Sequence, residues 1–209
     1  MIWIILVIII IFILTRITYR EPRVYPQMIS EDECRHIIEL SRYQLSTSSI
    51  IDKNVVDENV RKSDTAWLDP QDDKIVERVV RRCLKNCDRP LRNCEQLQVV
   101  RYKPGGYYNP HYDNPAFFDR YGDMELRFNP RMYTFIIALN DDYKGGHTIF
   151  PNLNKKYKLQ TGDVLRFDNL NNYGFPSSQS LHGGDKVEEG EKWICNVWPR
   201  MYNLSTPVH

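Results

Sequence analysis

Hydrophobicity changes its period several times along this chain. Residues 2–14 (IWIILVIIIIFIL) are apolar without a break, so the segment has no polar face to turn to water. After a short polar stretch, Cys34, Ile37, Ile38 and Leu40 fall on one face of a helix. Ser30 and Glu33 have the spacing of a capping box at its start, with Ile29 and Cys34 as the apolar staple. A second helical stripe runs through Ile75, Val76, Val79, Val80, Cys83, Leu84 and Cys87, and Asp69-Pro70 reads as its cap and first position. From Leu97 onward the period is two. Strands are expected at Leu97–Tyr102, Tyr133–Leu139, His147–Phe150, Lys156–Leu159, Val164–Phe167 and Trp193–Trp198. Turn signals separate them at Pro104-Gly105-Gly106, Gly145-Gly146, Thr161-Gly162-Asp163 and Gly183-Gly184.

Helices first and many short strands afterwards predict one α+β domain, with the helices backing a rolled sheet. Three stretches interrupt the pattern. Residues 20–28 read as a proline-bearing linker. Residues 44–66 read as strand fragments and a loop ending near Arg61-Lys62-Ser63. Residues 114–130 form a long insertion carrying Phe117, Phe118, Tyr121 and Phe128, either a cover over a ligand or packing on the sheet rim. The expected organisation is an apolar segment at 1–19, a linker at 20–28, a folded domain at 29–200 and a tail at 201–209.

The apolar run is short for a membrane span, which needs about 20 residues, but residues 15–19 can lengthen it and Arg16 can snorkel. A signal-anchor, a cleaved signal peptide and a buried core helix are the three readings of such a run. The missing basic leader and the missing small-residue cleavage site favour the signal-anchor. Arg16, Arg20 and Arg23 on its C-terminal side favour a cytosolic flank. Asn203-Leu204-Ser205 would accept a glycan only on a luminal domain.

Composition narrows the partners. Among 209 residues the net charge is +1, which gives no reason to expect nucleic acid as a partner. Thirteen tyrosines and four tryptophans suit a sheet-rich fold. The five cysteines form no CxxC pair, so a zinc ribbon is not expected. Cys83 and Cys87 read as buried filler, and a disulfide from Cys94 to one of them stays open for an oxidising compartment.

The chemistry concentrates in His111-Tyr112-Asp113, His182-Gly183-Gly184 and Lys192. Residues two apart on a strand point the same way, so His111 and Asp113 could ligate one metal. His182 is the best candidate for a third donor. Two histidines and one carboxylate make the open-faced site of non-haem ferrous oxygenases, with positions left for a chelating cosubstrate and O2. Lys192 shares a strand face with Ile194, Asn196 and Trp198, opposite Trp193, Cys195 and Val197. If that face is inward, the ammonium needs an anion, and the far carboxylate of a dicarboxylate would serve. His182 and Lys192 are expected on adjacent strands joined by a hairpin at residues 183–190.

At this point the chain resembles the prolyl 4-hydroxylase family of Fe(II)- and 2-oxoglutarate-dependent dioxygenases over roughly residues 28–200. The resemblance rests on residues 101–113 (RYKPGGYYNPHYD), Arg131-Met132-Tyr133-Thr134, Leu139-Asn140-Asp141, residues 145–151 (GGHTIFP) and 162–167 (GDVLRF), Ser180-Leu181-His182-Gly183-Gly184, Gly190-Glu191-Lys192-Trp193 and Trp198. It implies a double-stranded β-helix (jelly roll) core. It implies His111, Asp113 and His182 as iron ligands, and Lys192, helped by Tyr102 and Thr134, on the C5 carboxylate of 2-oxoglutarate. Trp198 would line the same pocket, with Arg61 and Tyr108 toward a peptide groove. The implied reaction couples oxidative decarboxylation of 2-oxoglutarate to hydroxylation of proline in proline-rich or collagen-like peptides, with ascorbate restoring oxidised iron. The resemblance also places the domain in the lumen of the endoplasmic reticulum, against the cytosolic flank that the arginines favour. One departure stands out: the family's Gly-Gly-Glu-Thr is Gly145-Gly146-His147-Thr148 here, and an altered substrate preference is expected from it.

Overall fold

The computed structural model describes residue 3 and residues 16–49, 56–114 and 124–204. Most of the apolar run, the start of the 114–130 insertion with Phe117, Phe118 and Tyr121, and Ser205 of the glycan motif lie outside these residues. No helix among the described residues is long and apolar enough to cross a membrane.

Three helices, α1 (Glu31–Ser41), α2 (Lys74–Leu84) and α3 (Met124–Phe128), accompany fourteen strands among the described residues. In chain order these are β1 (Arg23–Tyr25), β2 (Ser46–Thr47), β3 (Arg61–Lys62), β4 (Asp64–Leu68), β5 (Leu97–Tyr102), β6 (Tyr107–His111), β7 (Tyr133–Ala138), β8 (Lys144–Gly145), β9 (Thr148–Phe150), β10 (Lys155–Tyr157), β11 (Val164–Asp168), β12 (His182–Gly184), β13 (Val187–Glu189) and β14 (Lys192–Val197). They build a major sheet in the order β1-β11-β7-β14-β5-β4-β2, a minor sheet in the order β10-β9-β12-β6-β3, and a small β13-β8 ladder. The recorded pairings are antiparallel.

The expected capping box closes α1: Ser30 Oγ accepts from the Glu33 amide (3.2 Å), and Glu33 Oε2 accepts from the Ser30 amide (3.0 Å). The expected cap of α2 lies about one turn too early. Asp73, not Asp69, caps it, accepting from the amides of Ile75 and Val76 (2.8 and 2.9 Å). Asp69 instead caps a turn at Gln71. A turn closed by Asp72 N on Asp69 O (3.1 Å) separates β4 from the helix. A bidentate pair from Arg82 to Glu33 (2.6 and 2.9 Å) ties α2 to α1.

Period-two alternation divides the major sheet's side chains between two cores. Leu97, Val99, Phe135, Ile137, Trp193, Cys195 and Val197 face α1 and α2 together with Ile37, Val76, Val79 and Val80. Val100, Tyr102, Ile136, Ala138, Leu165, Phe167 and Ile194 face the minor sheet and meet Tyr108 and Phe150. The expected inward face of β14 is therefore the observed one.

Two further expectations change. The stretch read as a linker is laid on the body: β1 pairs with β11, Gln27 N donates to Asp163 Oδ1, and Ile29 N donates to Gly162 O. Pro22 and Pro26 flank β1 and masked it in the sequence. Gly162 permits this seam, because its φ is +83° and a Cβ there would sit 2.1 Å from Ile29 O. All five cysteines are free thiols, and Cys34, Cys83 and Cys195 are buried. Burial pushes the Cys83 and Cys34 thiols up, which suits apolar filler rather than reactive groups.

Candidate active site

The β6–β12 register sets His111 directly opposite His182. Close approach of these strands needs Gly183, since a Cβ there would lie 2.9 Å from Tyr108 O. Asp113, two residues past the end of β6, turns inward and is 1% exposed. The donor atoms of His111, Asp113 and His182 lie within 4.8 Å of one another. Each imidazole directs Nε2 at the carboxylate, His111 to Oδ1 and His182 to Oδ2, both at 3.8 Å. Each also donates from Nδ1 to a backbone carbonyl two residues back, at Asn109 (2.9 Å) and Ser180 (3.0 Å). That bond fixes the tautomer and leaves the Nε2 lone pair toward a metal. Burial, then the neighbouring His182, pushes His111 down to about 3, so it is a neutral ligand at pH 7. Burial alone would raise Asp113, but His182, Arg131 and His111 outweigh it and hold the carboxyl below its ordinary range. Two imidazoles and one carboxylate suit Fe(II) and leave positions for a chelating cosubstrate and dioxygen.

The carboxylate is held from the opposite sheet. Thr134 Oγ1 on β7 and Trp198 Nε1, just past β14, both donate to Asp113 Oδ2 (2.5 and 3.0 Å). Asn169 Nδ2 donates to Thr134 Oγ1 (2.9 Å). Behind Trp198 lies a buried ionic cluster. The Arg131 guanidinium stacks 3.6 Å from the Trp198 ring and makes a bidentate pair with Glu95 (2.7 and 2.6 Å), which also accepts from Arg200 Nε (2.6 Å). Thr134 and Trp198, expected around the cosubstrate, thus spend their donors on the metal-side carboxylate.

Lys192 opens β14 opposite Tyr102 of β5 and is 4% exposed. It lies in the cleft that His111, Asp113 and His182 also line, together with Tyr102, Ile136 and Trp198. Its Nζ lies 5.5 Å from the Tyr102 ring, and no carboxylate of the described residues is in ion-pair reach of it. Burial, then Lys158, pushes its ammonium down to about 8. A buried cation without a counter-ion in the same cleft as three metal donors is a socket for an anion.

A family model, the 2OG-Fe(II) oxygenase superfamily, matches residues 97–200. A protein of Acanthamoeba polyphaga mimivirus that carries the name prolyl 4-hydroxylase is 36% identical over 189 residues, covering 90% of this chain and 77% of its own. The chain belongs to the prolyl 4-hydroxylase family. It is a 2-oxoglutarate-dependent dioxygenase that uses Fe(II), 2-oxoglutarate and O2, typically with ascorbate. Prolyl 4-hydroxylase 5 of Arabidopsis thaliana is 31% identical over 202 residues, covering 85% of this chain and 68% of its own. The crystal structure of a viral collagen prolyl hydroxylase from Paramecium bursaria Chlorella virus-1, in its 2-oxoglutarate complex, superposes with a TM-score of 0.69 at 26% identity. The match covers 88% of this chain and 97% of that one.

Within this family member, the structure brings together every residue expected at the metal and cosubstrate positions. Arg61 and Tyr108 pair across β3 and β6. The Tyr108 ring stacks on His111 (3.6 Å between centroids), and Arg61 Cζ lies 4.7 Å from the Tyr108 ring. Arg61 donates to the hydroxyls of Ser63 and Thr65 (2.8 and 3.2 Å). His147 stays apart from the triad, 4.0 Å from Asp185. His36 is satisfied by Asp73 (2.9 Å).

One geometric expectation is corrected. His182 and Lys192 are not on adjacent strands; they belong to facing sheets. The intervening chain crosses between layers, and β13 pairs with β8 on the way instead of closing a hairpin. Sequence reasoning also assigned no role to Glu95, Arg131, Asn169 or Arg200. Charged residues at strand edges read as solvated, and nothing local signals that these would be enclosed.

Proposed function

We propose that this enzyme hydroxylates peptidyl proline in collagen-like or proline-rich chains, with His111, Asp113 and His182 holding Fe(II). The observation that carries the reading is the unpaired, buried Lys192 in the same cleft as the triad. Lys192 would grip the C5 carboxylate of 2-oxoglutarate, with Tyr102 beside it, and so fix the cosubstrate in one orientation. Bound Fe(II) supplies the oxidising chemistry that turns 2-oxoglutarate and O2 into succinate, carbon dioxide and one oxygen atom for the substrate. The two imidazoles, the clamped carboxylate and the apolar walls at Ile136 and Ile194 position the reactants and keep water out.

Tyr108 and Arg61, which line the cleft, would face the peptide, with Trp67 (43% exposed, 6.2 Å from Trp198) as a platform for proline rings. Proline-rich chains already favour the extended polyproline form and lose little entropy on docking. We read the two facing sheets as the family's jelly roll, in a domain that takes in β1 as well as residues 29–200. We further read residues 1–19 as a membrane anchor and the endoplasmic reticulum lumen as the domain's location, supported by the apolar run and the family.

The test supplies the purified chain with Fe(II), ascorbate, 2-oxoglutarate and a proline-rich peptide. A gain of one oxygen on proline, dependent on 2-oxoglutarate, is the expected result. Succinate formation without prolyl oxidation would reassign the target, for example to peptidyl lysine. No iron binding and no turnover would overturn the enzymatic assignment of the triad.

A further inference from the structure

Apolar side chains that the cleft does not use gather on one edge of the body. Ile17 is 44% exposed, Tyr173 48% and Phe175 66%. Tyr173 and Phe175 belong to a tight turn that follows β11. Asn171 N donates to Phe175 O (2.7 Å), Gly174 N donates to Asn171 O (3.0 Å), and Asn171 Oδ1 accepts from the amides of Tyr173 and Phe175 (2.9 and 3.1 Å). A bridge between Leu170 and Pro176 closes its base. Two aromatic rings are thus held outward on a bonded frame.

Asn172 locks this hairpin to the chain that follows the apolar run. Thr18 N donates to Asn172 Oδ1 (2.8 Å), Asn172 Nδ2 donates to Arg16 O (2.9 Å), and Asn172 N donates to Thr18 O (3.1 Å). The chain beyond them is also tied to the body. Lys155 pairs with Glu21 (2.5 Å), Pro22 is buried, and β1 lies on β11. Residue 16, two positions past the end of the 2–14 run, is therefore fastened to the hairpin. Whatever phase receives the apolar run meets the hairpin as well. Arg16 and Arg20 are exposed in the same stretch. Aromatic and aliphatic tips flanked by arginine match the boundary between lipid headgroups and acyl chains.

We propose that this edge, Ile17 with the 170–176 hairpin, rests in the interfacial layer of a lipid bilayer. Tyr173 and Phe175 reach the acyl boundary, and Arg16 and Arg20 lie among the phosphates. The proposal rests on reading the 2–14 run as an anchor. It gives the domain a fixed attitude on the membrane. The hairpin springs from Leu170, next to Asn169, which bonds Thr134 under the Asp113 carboxylate, so the docked edge is continuous with the chain that backs the metal donors.

The test uses the full chain reconstituted into vesicles of phosphatidylcholine and phosphatidylglycerol. Nitroxide labels are placed through Phe175→Cys and, as a distant control, Tyr43→Cys (Tyr43 is 97% exposed). Cys87→Ser and Cys94→Ser remove the two thiols that are not fully buried. On vesicle-bound protein, the label at 175 should gain collisions with oxygen and lose collisions with a water-soluble nickel chelate several-fold relative to the label at 43. Equal nickel access at both positions would overturn the proposal and leave the anchor standing. Failure of the full chain to float with the vesicles would remove the anchor and the proposal together. The Tyr173→Ser/Phe175→Ser variant should keep wild-type turnover of a soluble peptide. A fall in turnover would assign the hairpin to the cleft and overturn membrane docking.

Discussion

The two faces of the major sheet share the same strands and obey opposite rules. Toward α1 and α2, the alternate residues of β5, β7 and β14 are apolar apart from Arg101 at the end of β5, and each fully buried apolar side chain stabilises the fold by about 1.5–3 kcal/mol. Toward the minor sheet, the intervening positions include Gln98, Thr134 and Lys192, all under 5% exposed. Burying such groups costs free energy unless each finds a partner. Gln98 accepts from Asn196 (2.9 Å) and Thr134 donates to Asp113, but Lys192 has no carboxylate among the described residues. One face thus carries stability, and the other keeps a deliberate debt that ligands settle.

The sharpest way to break this contrast is to mutate both faces. His182→Ala should abolish metal binding and turnover while the protein stays folded, read by metal content, activity and circular dichroism. Leu97→Ala should do the reverse, lowering stability by roughly 2–5 kcal/mol while the remaining folded protein keeps its KM for 2-oxoglutarate. Loss of cosubstrate affinity in that variant would mean the two faces are not separable.

Lys192→Met comes next. It should weaken 2-oxoglutarate binding by about 30-fold or more, from the roughly 2 kcal/mol or more lost with one partner of a buried charge pair. It should also raise the melting temperature of the ligand-free enzyme, because an unpaired buried charge is removed. A lowered melting temperature would contradict the unpaired state.

A third effect follows from pH. Lys192 sits at about 8 in the folded enzyme, below the 10.5 of the unfolded chain. Between these values the unfolded state holds a proton that the folded state has released, so the ligand-free enzyme gains stability as pH rises from about 8 to 10.5. Affinity for 2-oxoglutarate moves the other way and falls as pH rises through about 8. The difference between wild type and Lys192→Met isolates both trends, by denaturant titration and by calorimetric binding.

The smallest change is Trp198→Phe. Losing the indole donor to Asp113 Oδ2 should weaken Co(II) or Fe(II) affinity by about 10- to 100-fold and leave the 2-oxoglutarate carboxylate grip intact. An unchanged metal affinity would show that Thr134 alone suffices to hold the carboxylate.

Local rules made much of this legible. The capping box at Ser30, the period-two strands from Leu97 and the inward face of Lys192 follow from spacing, and the His111–Asp113 pair follows from strand geometry. What the sequence left open depends on distant partners. β1 hides between two prolines because only β11 tells it to be a strand. His182 and Lys192 end on different sheets because β13 finds β8. Glu95, Arg131 and Arg200 look like surface charges, and only the closed fold encloses them around Trp198. Asp69 and Asp73 both look like caps, and the turn that Asp69 closes onto Gln71 and Asp72 leaves Asp73 to start the helix.

The clamp on Asp113 has a mechanical consequence. Both imidazoles ride on the minor sheet, whereas the carboxylate's hydrogen-bond donors, Thr134 and Trp198, ride on or beside the major one. A bound ion would therefore act as a rivet between layers, and the layers' own closure would be part of its affinity. Any loosening that lets the two sheets part at this edge loosens the ion, and loading the ion draws the edge shut by mass action.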